Sequence, residues 1–219
     1  MSLDIDLARR NMVDNQVRTW DVLDPRVLDA LAAVPREDFV PARYRSLAFA
    51  DLMLPLGHGE VMLKPAVEGR ILQALQLAPG DSVLEVGTGS GFLTACLSRL
   101  ARSVASIDCH ADFADAATQR LRRIGASNVR IETGDAMATF DPGVRHDAVV
   151  IGGAVAMLPD RFASWVRPGG RLFAIVGRPP AMQAVLHRRL DESQWHRETL
   201  FETALPYLRN AAPQPRFAL

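Results

Sequence analysis

Cysteine is scarce in this chain: Cys96 and Cys109 are the only two among 219 residues. That excludes a disulfide framework, and the pair has no partner residues at zinc-ligand spacing, so a reducing compartment, the cytoplasm, is expected. The five histidines, His58, His110, His146, His187 and His196, fall on separate segments with no H-x-x-x-H spacing, and no metal site is expected from them. Charge of one sign is also missing. Lys plus Arg number 25 and Asp plus Glu number 25, which argues against an electropositive surface for nucleic acid. No apolar run approaches the roughly 20 residues that a membrane-spanning helix needs. Met1 to Arg10 carries Asp4 and Asp6 and lacks the apolar stretch of a secretory signal. Internal repeats, low-complexity tracts and long linkers are absent.

What remains is a globular composition, 48% hydrophobic and 23% charged, on a chain long enough for a sizeable core. The first eighty residues read as helical. Asp24-Pro25 is an N-cap followed by a first-turn proline, with Val27, Leu28, Leu31 and Ala32 at helical spacing behind it. Pro41, Pro55, Gly57 and Gly59 then break any long element until a second helix near Pro65, which sets Val67, Ile71 and Leu75 on one face. From Ser82 short apolar runs alternate with helical stretches. Strands are expected at Ser82–Val86, Val104–Ile107, Val129–Glu132, Asp147–Ile151 and Arg171–Val176, and helices at Gly91–Ala101, Ala111–Ile124 and Asp160–Val166. Val185-Leu186 and Thr199–Leu208 are candidates for final strands. The alternation predicts an α/β fold: a Rossmann-like, doubly wound, mostly parallel seven-stranded sheet with an N-terminal helical extension.

The segment Val83-Leu84-Glu85-Val86-Gly87-Thr88-Gly89-Ser90-Gly91-Phe92 carries the chemistry. A hydrophobic strand enters a glycine loop that opens a helix, so a ligand can lie against bare backbone near unpaired N–H groups. A dinucleotide fold calls for G-x-G-x-x-G. Here the pattern is G-x-G-x-G behind the acidic Glu85, which suits S-adenosylmethionine: no pyrophosphate to hold, but an ammonium group that Glu85 can attract directly or through water. Asp108 stands 21 residues after Gly87 at a strand end, where a carboxylate can accept from both hydroxyls of a ribose. Asp135 follows Gly134 after the next strand and can accept from an adenine amino group, with the Ala136 backbone reading a ring nitrogen. Cys109 is placed to line the same pocket. Each feature also has a plain reading, as a tight turn, an exposed strand-end aspartate or a turn aspartate. Their order on consecutive βαβ units favours the ligand.

Glu85–Gly91, Asp108, Gly134-Asp135 and Pro168-Gly169-Gly170 resemble class I S-adenosylmethionine-dependent methyltransferases. The N-terminal third narrows the resemblance. Met12–Arg18, Asp24–Leu28, Val34–Pro41 and Leu54–Gly59 look like protein-L-isoaspartate (D-aspartate) O-methyltransferases, and Leu205–Leu208 is similar to that family's C-terminal strand. The resemblance implies methyl transfer to the α-carboxylate of an isoaspartyl residue in damaged proteins. It divides the single domain, 1–219, into a helical extension with acceptor loop (1–80), a cofactor-binding core (81–180) and C-terminal strands (181–219).

One stretch departs from the family. Where relatives carry G-Q-T-I-S-Q-P, with the Thr and Ser hydroxyls at the acceptor carboxylate, this chain has Gly59-Glu60-Val61-Met62-Leu63-Lys64-Pro65. The family's active Ser falls on Leu63 and its Thr on Val61, while Glu60 sets a negative charge where the substrate is also negative. His58 and Lys64 are the candidate replacement donors, although a solvated loop position is the plainer reading of both. A second departure is Gly152-Gly153-Ala154, where the family usually has Thr-Ala-Ala. These changes leave two alternatives beside the isoaspartyl reading. One is a methyltransferase for another, small-molecule acceptor; the other is a non-catalytic protein that binds the cofactor.

Overall fold

Aspartates start the first helices in the computed structural model, which describes residues 4–213. Asp4 accepts the Leu7 N–H at 3.0 Å and opens α1 (Ile5–Met12). A π-helical turn (Val13–Val17) and a 3₁₀ turn (Arg18–Trp20) follow. Asp24 accepts from Arg26 N at 2.9 Å and opens α2 (Pro25–Ala33), with Pro25 in the first turn as the sequence predicts. Two short 3₁₀ segments (Arg36–Asp38 and Ala42–Leu47) lead to a hairpin, β1 (Leu54–Gly57) and β2 (Glu60–Met62), inside the region read as helical. Its turn, Gly57-His58-Gly59, holds three successive residues at positive φ, two of them the glycines that such backbone favours. Pro65 then starts α3 (Pro65–Leu75). The Gln73 side chain accepts from the N–H groups of Leu23 (2.5 Å) and Asp24 (3.0 Å), fastening the N-terminal helices to α3.

The remaining chain alternates: β3 (Ser82–Val86), α4 (Phe92–Leu100), β4 (Ser103–Asp108), α5 (Ala111–Arg123), β5 (Val129–Thr133), β6 (His146–Val155), α6 (Arg161–Ser164), β7 (Val166–Val176), β8 (Met182–Arg189) and β9 (Trp195–Thr203). The seven strands from β3 onward form one sheet in the order β5-β4-β3-β6-β7-β8-β9. Its first five members are parallel and the last two antiparallel. All of β3 is buried, as expected for a central strand covered on both faces. Chain order reverses at β3, with β4 on one side and β6 on the other. That is the switch point at which α/β sheets hold ligands beyond the strands' carboxyl ends.

Three elements differ from expectation. The helix read at Asp160–Val166 shrinks to four residues because Val166 leaves it to pair with His146 at the start of β7. Pro168 to Gly170 lies within β7 as an outward loop between the pairings of Val166 and Arg171. A Cβ on Gly170 would meet the Asp147 carbonyl at 2.8 Å, which explains the glycine. Finally, Leu205–Leu208 does not continue the last strand. Tyr207 bridges Ala154 in parallel, Ala154 N donates to Pro206 O (3.0 Å) and Leu208 N donates to Ala154 O (2.9 Å). This segment takes the edge of β6 left open where β3 ends.

Candidate active site

An open cavity lies at the switch point. The ends of β3, β4 and β5 and a bulge in β6 surround it, so residues remote in sequence converge there. Gly87, Gly89, Asp108, Cys109, Asp135 and Ala136 all line it. A smaller space adjoins it between the hairpin and the glycine loop, lined by Leu63, Thr88 and Ser90 among others; Val61, Gly87 and Gly89 face both. Gly91 lines neither. A Cβ there would lie 2.9 Å from the Ala117 Cβ, so this glycine serves the packing of α4 against α5.

Hydrogen bonds hold the glycine loop from below. Gly87 N donates to Ile107 O (2.8 Å), and Gly89 N donates to Asp108 Oδ2 (2.8 Å). Asp108 Oδ1 accepts the His110 N–H at 2.9 Å. Each Asp108 oxygen thus uses one acceptor site on backbone and keeps another. Asp135 Oδ1 caps its own turn by accepting Met137 N (2.8 Å), and its Oδ2 accepts from Asn210 Nδ2 (2.7 Å). The plain turn reading of Asp135 is therefore present alongside its place in the cavity wall. Burial, and then the Asp108 charge, push the Cys109 thiol up, so it is not a thiolate at neutral pH.

Glu85 is fully buried and lines neither cavity. Its Oε2 accepts from Thr94 Oγ1 (2.5 Å) and Ser106 Oγ (2.6 Å), and Ser106 is 2.6 Å from Thr88 Oγ1. Its Oε1 has no partner among the described residues. Burial pushes this carboxyl up to about 8, with the two hydroxyls pulling the other way. Direct contact between Glu85 and a ligand is closed off by this placement. The hydrogen-bonded link from Glu85 to the wall of the smaller space runs through Ser106 to Thr88.

Sequence reasoning missed three contributors. Leu208 and Arg209 come from the C-terminal bridge and line the cavity. A Cβ on Gly153 would lie 2.6 Å from Leu208 Cδ2, and one on Gly152 would lie 2.8 Å from the Gly87 carbonyl oxygen. Leu208 thus fills the space at Gly153, and the β3 backbone closes over Gly152. The third contributor is Arg36, wholly buried over the Phe92 ring. Its Nε donates to Ala48 O (2.9 Å), its Nη2 to Leu63 O (2.6 Å), and its Nη1 to the buried Glu68 carboxylate. Only the motif around Val34–Pro41 could have flagged it. Of the expected replacement donors, Lys64 stands at the start of α3, and His58 points toward α5, where its Nε2 lies 3.0 Å from Asp112 Oδ2. Neither lines the two cavities. Glu60 does line the larger one, its carboxyl raised by burial and by Asp108.

The sequence matches the protein-L-isoaspartate(D-aspartate) O-methyltransferase family over residues 8–204. The chain belongs to that family. It is 36% identical over 210 residues to a protein-L-isoaspartate O-methyltransferase of Koribacter versatilis, covering 95% of this chain and 94% of that one. It is 37% identical to another from Roseiflexus castenholzii, with 87% of both chains covered. A protein-L-isoaspartate O-methyltransferase of Plasmodium falciparum, described as putative and solved with S-adenosyl-L-homocysteine, superposes with a TM-score of 0.78 over 91% of this chain and 97% of that one. At 16% identity that last likeness speaks for the fold alone. The isoaspartyl methyltransferase fold thus extends across the helical N-terminus as well as the sheet.

Proposed function

We propose that this chain is an S-adenosylmethionine-dependent protein-L-isoaspartate O-methyltransferase that methylates the carboxylate of isoaspartyl residues in proteins or peptides. The observation that carries this is the single cavity in which the glycine loop, Asp108 and Asp135 converge in a member of this family. The residues fit the cofactor: Asp108 keeps acceptor capacity toward a ribose diol, Asp135 and the Ala136 backbone suit an adenine edge, and Cys109 walls the pocket. Gly87, Thr88, Gly89 and Ser90 bring backbone and hydroxyl groups to the amino-acid end, with Gly91 setting the turn. Glu85 braces the Thr88 hydroxyl at that end from below, its Oε2 accepting from Ser106, which meets Thr88.

When bound, the cofactor supplies an activated methyl on a sulfonium. A carboxylate acceptor is already anionic at neutral pH, so no side chain has to remove a proton. The hairpin from Gly57 to Lys64 covers the acceptor and excludes water, with Val61 and Leu63 as its apolar wall. We assign no acceptor contact to His58 or Lys64. Residues 1–80 supply this cover, 81–180 the cofactor site and 181–219 the closing edge, working as one unit. Among the described residues no helix is long and apolar enough to cross a membrane. Free Cys96 and Cys109 support a cytoplasmic setting, and the even charge balance supports a partner other than nucleic acid.

The test is transfer of labelled methyl from S-adenosylmethionine to an isoaspartyl peptide and to its ordinary aspartyl counterpart. A base-labile methyl ester on the first peptide alone, at a rate flat from about pH 6 to 8, is the expected result. Cofactor binding without transfer, or transfer only to other components of a cell extract, would overturn it.

A further inference from the structure

The fold collects ligand chemistry that the linear sequence scatters. His58, in the hairpin turn, and His110 and Asp112, at the start of α5, place one ligand atom each within 4.8 Å of one another. His58 Nε2 stands 3.0 Å from Asp112 Oδ2. The two imidazole rings stack with centroids 4.2 Å apart and planes 9° from parallel, and the Phe113 ring packs edge-on against each at 5.3 Å. Glu60 Oε1 is 4.0 Å from His110 Nε2. We propose that His58, His110 and Asp112 form a binding site for a divalent transition-metal ion at the edge of the cavity.

The donor set selects the ion. Two imidazoles and one carboxylate suit Zn²⁺, Co²⁺ or Ni²⁺, whereas Mg²⁺ and Ca²⁺ prefer an all-oxygen shell. Bonds of about 2.0–2.2 Å to a tetrahedral ion set ligands about 3.4 Å apart, so the cluster closes when one imidazole swings out of the stack and turns its in-plane lone pair toward the ion. Two further observations favour the site. His58 is held in the left-handed region, φ +53, between Gly57 and Gly59, and its ring reaches Asp112 on α5. His110 is anchored through its backbone N–H on Asp108, while its ring makes no hydrogen bond within 3.5 Å among the described residues. The N-terminus of α5 repels a cation, so the Asp112 carboxylate is needed to offset it. Three protein ligands leave a fourth position, and the Glu60 carboxylate stands 4.0 Å from His110 Nε2. The bound ion would fasten the acceptor hairpin to α5.

This inference stands apart from the methyl-transfer reading, and its test reads metal binding. Tag-free protein stripped with a chelator is titrated with Co²⁺, following visible absorption and calorimetric heat, and its melting temperature is measured with and without Zn²⁺. One-to-one binding is expected, with a raised melting temperature as binding to the native state requires. His58→Gln, His110→Gln and Asp112→Asn should each weaken binding at least tenfold, while circular dichroism of the metal-free variants reports that they fold. His187→Gln and His196→Gln should leave binding unchanged. Absence of saturable Co²⁺ binding, or loss of less than tenfold in any of the three site variants, overturns the site. If His110→Gln fails to fold, the surface substitutions at His58 and Asp112 decide the matter.

Discussion

The Arg36 guanidinium donates to the backbone carbonyl of Leu63 across 2.6 Å, and so holds the end of the β1–β2 hairpin at the position that resembles the family's Ser. The same side chain meets the buried Glu68 carboxylate and the Ala48 carbonyl. Burial pushes the Glu68 carboxyl up to about 7 while Arg36 pulls it down. The hairpin's position therefore rests on a buried ion pair reaching from the N-terminal extension to α3.

Breaking that pair on one side leaves a buried carboxyl without its partner. Arg36→Met should lower stability by about 3–5 kcal/mol, the range for removing one member of a buried pair. Adding Glu68→Leu should restore part of it, because neither charge then has to be buried. Urea unfolding of the two variants checks this. An equal loss in both would mean that Arg36 acts through the Leu63 and Ala48 carbonyls alone.

Leu208 stands where a side chain at Gly153 would be. Gly153→Val should destabilise the protein by about 1–3 kcal/mol through overpacking, and Leu208→Ala in the same chain should relieve most of it. A double-mutant cycle by thermal or denaturant unfolding reads the coupling, expected at about 1 kcal/mol or more. Additive losses would show that Leu208 moves aside freely.

Glu85 titrates near 4.5 when unfolded and near 8 in the folded chain. Between those values the folded state keeps a proton that the unfolded state has lost. The destabilisation from Glu85 is thus absent below about pH 4.5, grows with rising pH and is complete above about pH 8. Glu85→Gln carries no charge at any pH, so the wild type should lose stability relative to this variant by about 1 kcal/mol per pH unit from pH 5.5 to 7.5. Denaturant melts at three pH values measure it. Parallel curves would mean that the carboxylate is charged in the fold throughout.

Val61 and Leu63 line the smaller space, and on the proposed function they wall the acceptor where the family carries two hydroxyls. Val61→Thr with Leu63→Ser should raise methyl transfer to an isoaspartyl peptide tenfold or more, equivalent to about 1.4 kcal/mol of transition-state stabilisation. Leu63 is only 6% exposed, so removing its branched carbons should also cost about 2–4 kcal/mol of stability. Rate per folded molecule and melting temperature must be measured together. A slower variant would make Leu63 part of a working apolar site.

The sequence by itself determined what depends on near neighbours. Ser82–Val86 is a strand of that extent because five consecutive buried positions and a following glycine turn allow little else. The Asp24-Pro25 start of α2, the Pro65 start of α3 and the acidic strand end at Asp108 were legible for the same local reasons. Tertiary structure decided the rest. Glu85 read as attracting an ammonium directly or through water, and what the fold added is its burial: β3 is covered on both faces and the carboxylate turns under the loop to Thr94 and Ser106. Leu205–Leu208 looked like a last strand, but the edge of β6 beyond β3 offered unpaired backbone, which it took. His58 and Asp112, 54 residues apart, meet only because β1–β2 folds over the end of β4. Spacing along the chain carries local turn and helix chemistry; it does not carry which strand ends the sheet brings side by side.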